Sequence, residues 1–235
     1  MAVEPVLLMT RPAKAAQAFV DSLPLEGVRV IMSPLIGIVH RGELPPMAAY
    51  RALIFTSVHG VEAYVAQNGP FLPCYVVGGK TARAAQASGF SVRSVFENAA
   101  NLIEGVIHHR ASGPVLHVRG VHARGNIAQT LTNSAIPTDE AVLYDQPAIP
   151  LTDEAQAALS GANPVIVPLF SPRTAVLLAE FRPKPPLLVA AFSQAVANAV
   201  SGLHITKLRI ALRPDSDAMG VEVIDLLAWA KAAEI

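Results

Sequence analysis

The chain has a single cysteine, Cys74, among 235 residues. A lone cysteine forms no internal disulfide and anchors no cysteine-based metal cluster. Its place at the start of an apolar run reads as a buried, reduced thiol. Charge is also scarce. Charged residues make up 15%, and 18 Lys and Arg balance 18 Asp and Glu to a formal net charge of +0. That balance argues against bulk binding to nucleic acid or to an acidic membrane surface. Any anion site must come from local clustering of Arg, Lys and His. The opening MAVEPVLLMTRP carries an early acid and an apolar stretch too short for a signal peptide. The charge-free window 185–206, PPLLVAAFSQAVANAVSGLHIT, nears the length of a membrane span. Ser193, Gln194, Asn198, Ser201 and His204 interrupt it, so it reads as a buried strand followed by an apolar-faced helix. A cytoplasmic protein with no membrane partner is expected.

The usual chemical fingerprints are missing as well. There is no G-x-G-x-x-G, and Gly79-Lys80-Thr81 lacks the earlier glycine of a Walker A loop. No Cys/His set has metal-ligand spacing, so no metal site is expected. Ser57 lacks the Gly-x-Ser-x-Gly context of a hydrolase nucleophile.

What is abundant is apolar: hydrophobic residues make up 52% of the chain. They recur in one grammar, a short aliphatic run, a polar or glycine break, then Ala-rich helical spacing. Segments 6–23, 52–67, 75–89, 114–134, 164–181 and 187–202 all follow it, and each predicts strand, turn, helix. Strands alternating with helices imply open parallel sheets of the Rossmann or flavodoxin-like kind, with helices packed on their faces. Right-handed crossovers place every strand–helix turn on one edge of its sheet. Pro168, inside VIVPLF, predicts a bulge or an edge strand.

The chain also repeats itself. FTSVHGVEAYV resembles LFSPRTAVLLA, matching Ser57 to Ser171 at an offset of 171 − 57 = 114. VVGGKTARAA resembles AAFSQAVANA, matching Gly79 to Ser193 at 193 − 79 = 114. A common offset indicates a duplicated unit. The third pair, VLLMTRP and VLHVRG, breaks the order, so one copy reads a-b-c and the other b-c-a. The reading that reconciles them is two similar α/β domains, the first discontinuous. Residues 1–38 with 150–235 form domain 1, residues 47–143 form domain 2, and 39–46 and 144–149 form a two-stranded linker. A cleft beside such a hinge is a preferred ligand site.

The candidate binding residues all lie where strands end. They are Thr10 and Arg11, Thr56 and Ser57, Gly79, Lys80 and Thr81, Arg119 and Gly120, Ser171 and Arg173, and Ser193. Arg124 adds formal charge to the same rim. Helix N-termini offer unpaired N–H groups and partial positive charge, and small or hydroxyl residues let an anion approach them. For any one Ser or Thr, the competing role is an N-cap.

The set FTSVHGVEAY, VVGGKTARAAQASGFSV, VRG…VLYDQP and FSPRTA, in this order, resembles the uroporphyrinogen-III synthase family. The likeness extends to the opening TRP and the closing SGLHITKLRIALRPDSDAM. It implies an enzyme that closes hydroxymethylbilane, a small-molecule linear tetrapyrrole with eight carboxylates. The product is uroporphyrinogen III, formed with inversion of ring D and loss of water. It implies no cofactor and no metal. The family's tyrosine in a V-x-Y context corresponds to Tyr144, expected as an acid or a polariser of the leaving hydroxyl, with a packing role at the hinge as its rival. The sequence departs from the family at Ala195, where a threonine often stands, and at Phe170, where Thr56 stands in the other copy. A two-lobed binding protein for a small anion, without catalysis, fits the same organisation. A monomer is expected, with weak dimerisation left open.

Overall fold

In the computed structural model, the structure describes residues 4–109, 113–123, 125–184 and 186–232. The chain begins with β1 (Val6–Met9), α1 (Ala13–Val20), β2 (Arg29–Met32) and the short β3 (Val39–His40). It continues through β4 (Ala52–Phe55), α2 (Val58–Ala66), β5 (Cys74–Val77), α3 (Gly79–Ala87), β6 (Val92–Phe96) and α4 (Ala99–His108). Next come β7 (Val115–Gly120), α5 (Ile127–Asn133), β8 (Thr138–Asp145), α6 (Asp153–Ser160), β9 (Val165–Leu169) and α7 (Pro172–Phe181). The last elements are β10 (Leu187–Ala191), α8 (Gln194–Ala199), β11 (Lys207–Ile210) and α9 (Ser216–Ala232). The 185–206 window thus holds a strand and a helix. No helix among the described residues is long and apolar enough to cross a membrane.

These elements form two compact units. Unit 1 joins residues 1–37 to 148–235, and unit 2 is the continuous segment 38–147. In unit 1 the sheet runs β2-β1-β9-β10-β11, parallel throughout. Numbered by their order within the unit, the strands read 2-1-3-4-5, the flavodoxin-like order. In unit 2 the sheet runs β3-β8-β7-β4-β5-β6, parallel except for β3 on β8. Starting the count at β7 gives β7, β8, β4, β5, β6, again ordered 2-1-3-4-5. The a-b-c and b-c-a copies are therefore one fold with its connections permuted. Val39 and His40 pair with Asp145 and Tyr144, so both chain crossings carry strand residues of unit 2.

Burial explains why the strands read as unbroken apolar runs. β1, β4, β9 and β10 are buried at every position. In unit 1, Val6, Leu8 and Val167 pack on the α6, α7 and α8 side, while Leu7, Met9 and Ile166 pack on the α1 and α9 side. In unit 2, Leu53 and Phe55 face α2 and α3, and Ala52 and Ile54 face α4 and α5. A parallel sheet covered on both sides needs this continuous hydrophobicity.

Pro168 corrects the sequence reading. It lies buried in β9, an interior strand, rather than at an edge or a bulge. The registered pairing of β9 with β1 ends at Leu7↔Ile166, while pairing with β10 continues through Leu169. The missing proline N–H therefore falls beyond the β1 ladder and leaves the β10 ladder intact.

A histidine lies inside unit 2. His117 on β7 is 1% exposed, and neither ring nitrogen has a hydrogen-bond partner. Glu140 approaches Nδ1 at 3.7 Å but is held by Arg119 Nε at 2.8 Å. Burial lowers the imidazole pKa to about 4, with Arg119 pushing the same way and Glu140 opposing. The native ring is neutral at pH 7, whereas the unfolded ring takes a proton near pH 6.5. Below that pH the unfolded state binds more protons, so stability falls from about pH 6.5 until the native ring protonates near pH 4. The expected loss is at most about 3 kcal/mol. Urea titrations across this window should show it, and His117→Leu should flatten the slope.

Candidate functional site

In a flavodoxin-like sheet, ligands bind at the carboxyl edge where the strand order reverses. In unit 2 that point lies between β7 and β4, which pair as Phe55↔Val118 at their ends. Thr56 and Ser57 follow β4, and Arg119 and Gly120 close β7. Ser57 caps α2, its Oγ accepting the His59 N–H at 3.2 Å. Thr56 is half-buried beside it. Gly120 lies under the ring of Tyr144. A Cβ at Gly120 would fall 2.6 Å from Tyr144 Cε2, so only glycine lets the ring rest on the strand backbone. Tyr144 is 7% exposed, and the ring of His59 meets it edge to face at a centroid distance of 5.9 Å. His59 Nδ1 lies 3.1 Å from Glu62 Oε2. Arg119 is not a loose cation. Its Nε donates to Glu140, and its guanidinium donates to the Gly120 carbonyl at 3.2 Å.

The next strand end holds the Gly79-Lys80-Thr81 turn. Gly78 has φ +83, and a Cβ there would meet no atom within 4 Å, so backbone conformation rather than space calls for glycine where α3 opens. Gly79 and Lys80 are exposed, and Thr81 is buried.

Unit 1 builds its reversal point between β1 and β9 from different chemistry. Thr10, just after β1, is fully buried, and its hydroxyl has no hydrogen-bond partner. The Arg11 guanidinium lies over the Phe170 ring at 3.9 Å. Its Nε is buried without a hydrogen-bond partner, and burial lowers its pKa. The group nevertheless stays charged, as guanidinium does in proteins. Among the described residues, no carboxylate stands within ion-pair distance of Arg11. Phe170 is braced by Phe19 at 5.0 Å and Phe192 at 5.6 Å. Ser171 caps α7, accepting from Thr174 N–H at 3.1 Å and meeting the Thr174 hydroxyl at 2.8 Å. Arg173 is half-buried in the first turn of α7. Ser193 begins α8 without a side-chain cap bond.

Each unit thus gathers its share of the expected residues at one sheet edge. Unit 2 brings together Thr56, Ser57, Arg119, Gly120 and Tyr144, with Gly79, Lys80 and Thr81 at the adjoining strand end. Unit 1 brings together Thr10, Arg11, Ser171 and Arg173, with Ser193 one strand further along. Arg124 lies outside the described residues. Two features escaped the sequence reading. His59 and Glu62 stand three apart on α2, the spacing of helix neighbours, but the contact of His59 with Tyr144 is tertiary. Phe170 is visible as a departure between the copies, and its role as a shelf for Arg11 is not. Among the described residues, no group of three or more His, Cys, Asp or Glu stands together as a metal site.

A family model described as uroporphyrinogen-III synthase HemD matches residues 17–220. Among solved structures, the chain is similar to the uroporphyrinogen-III synthetase of Helicobacter pylori 26695. That likeness has a TM-score of 0.70 and 18% identity over 95% of this chain and 99% of that one. It is also similar to a mutant uroporphyrinogen III synthase from the extremely thermophilic bacterium Thermus thermophilus, with a TM-score of 0.56 and 13% identity over 96% and 98% of the two chains. No curated protein sequence matches.

The Gly120–Tyr144 contact yields a test. Gly120→Ala drives a methyl into the ring and should destabilise the protein by about 1–3 kcal/mol, as overpacking does. Urea denaturation would register it as a lowered midpoint. Gly79→Ala, whose added Cβ meets only an Arg83 side-chain nitrogen at 3.6 Å, should leave the midpoint unchanged or raised.

Proposed function

The chain belongs to the uroporphyrinogen-III synthase family, and from that premise we propose how it closes hydroxymethylbilane to uroporphyrinogen III. The carrying observation is that the family match runs through both units. The reaction is a cyclising loss of water, which makes the protein a lyase. An octa-anionic substrate belongs to an aqueous compartment, and a cytoplasmic location goes with this reading.

The substrate's hydroxymethyl C–O bond breaks with help from the pyrrole nitrogen lone pair, giving an azafulvene cation and water. Unassisted closure of that cation leads to the wrong isomer. The protein's task is to hold the chain so that the substituted carbon of ring D attacks instead. Positioning of this kind is worth on the order of 7–11 kcal/mol in favourable intramolecular cases.

Arg11 is the residue best suited to a substrate carboxylate. A half-buried guanidinium without a counter-charge is costly, and an incoming carboxylate relieves that cost. Thr10 offers a buried hydroxyl beside it. The amides of the turns at Thr56-Ser57, Gly79-Lys80-Thr81, Ser171-Arg173 and Ser193 supply further donors. Ser57 and Ser171 each use an Oγ lone pair to cap a helix, so toward an anion it is their hydroxyl protons and the turn amides that act. Arg119, anchored on Glu140, contributes positive field and a fixed Gly120. Tyr144, resting on Gly120, is the hydroxyl assigned to the leaving group.

Purified protein given fresh hydroxymethylbilane should yield the type III isomer, against type I in the protein-free control. Only type I product removes the reading, and tetrapyrrole binding without a change in isomer ratio would make the protein a binder. Tyr144→Phe should lower kcat by at least about tenfold, because its hydroxyl polarises the leaving group. Arg11→Ala should raise KM more than it lowers kcat, and the difference should shrink at high salt.

A further inference from the structure

We propose that His59, held by Glu62, is the group that gives a proton to the leaving hydroxyl and later takes one back, working beside Tyr144. The inference rests on the synthase reading and adds a residue to it. Three observations carry it. His59 sits in the first turn of α2, directly after the Thr56-Ser57 strand end, at the reversal point of the unit 2 sheet. Its Nδ1 lies 3.1 Å from Glu62 Oε2, so Glu62 holds the Nδ1–H tautomer and leaves Nε2 as the working nitrogen. Its ring meets the Tyr144 ring edge to face at 5.9 Å, which places an ionisable ring beside the residue already assigned to the leaving group.

The surroundings leave His59 available for this work. α2 packs against β4, β7, β8 and α3. On β8, Asp145 is engaged by Arg41 at 3.7 Å and by His122 at 3.6 Å. Also on β8, Glu140 is taken by Arg119, and Asp139 accepts the Tyr50 hydroxyl. On β7, His117 is buried and Arg119 is bound to Glu140. α3 carries Lys80 and Arg83, both exposed, and β4 carries no ionisable residue. His59 is itself 29% exposed at the side chain, reachable by a ligand and still oriented by its partners.

The step balances. The C–O electron pair leaves on oxygen, which takes the proton from imidazolium Nε2 and departs as water. The pyrrole nitrogen supplies the electrons for the new C=C bond of the azafulvene cation. After ring D has attacked and rearranged, its terminal carbon loses a proton to restore the aromatic pyrrole. Neutral His59 accepts that proton and returns to its starting state. Glu62 stays a carboxylate throughout, stabilising the imidazolium.

The test is the rate–pH profile of the wild-type protein and of His59→Gln, His59→Phe, Glu62→Gln and Tyr144→Phe, each checked for an unchanged thermal midpoint. The wild-type kcat should fall on the alkaline side, as expected where an acid takes part. His59→Gln should lower kcat by at least about tenfold and abolish that limb, with KM changed by less than about threefold. His59→Phe keeps a ring against Tyr144 and should be equally impaired. Glu62→Gln should lower kcat by a smaller factor than His59→Gln with KM little changed, because the ring loses its charged positioning partner. Tyr144→Phe should keep the limb. Wild-type levels of kcat in His59→Phe, or a limb that survives in His59→Gln, overturns the proposal while wild-type production of the type III isomer leaves the synthase reading standing. Type I product from the wild type removes both. Should His59→Gln fail to fold, His59→Phe decides alone, and wild-type kcat there counts against the role.

Discussion

The central strands of each sheet are dry on both faces, and this constraint governs where chemistry is possible. Strands buried at every position leave no room for a polar group except where a strand stops. His117 marks what an exception costs: a ring held neutral, with a carboxylate and a guanidinium beside it that bind each other instead. All parallel strands of a unit stop on the same edge, so hydroxyls, glycines and cations accumulate there by topology. The site is thus a by-product of the ladder, refined by a few side chains.

The two units use that edge differently. Unit 2 offers hydroxyl and glycine turns and the aromatic pair His59 and Tyr144, the latter seated on a strand backbone. Unit 1 offers a guanidinium lying on a phenyl shelf, with no acid among the described residues to neutralise it. A flexible polyanion carrying pyrrole rings presents carboxylates and π faces together, and each rim holds groups that suit one or the other. A duplicated fold need not keep duplicated contacts. The change from threonine in one copy to Phe170 in the other converts a hydrogen-bonding position into a stacking one.

Much of this was legible in the residues. The strand–turn–helix grammar located the sheet edges, and the shared offset exposed the permuted repeat that the strand orders now express. What was not legible required register or tertiary contact. Nothing in VLHVRG discloses that Arg119 meets Glu140, because the pair exists only once β7 and β8 are aligned. Ser57 and Ser171 are caps, a local role that sequence suggests but cannot separate from ligand binding. Pro168 misled because edge and interior strands are distinguished by which neighbour stops pairing first, and the sheet order alone reveals that. His59 lay in plain view on α2, but its contact with Tyr144 depends on a distant strand.

The permuted connectivity also bears on how the chain is made. β1 and β2 leave the ribosome before unit 2, yet β1 needs β9 as its second neighbour, and β9 follows the whole of unit 2. Domains generally fold as units during synthesis. Unit 2, being continuous, is therefore the first to close, while the Val6–Met9 strand waits with one flank unpaired. An uncovered apolar strand edge invites pairing with other chains, so the early closing of the middle segment also sets how long the amino-terminal strand stays exposed.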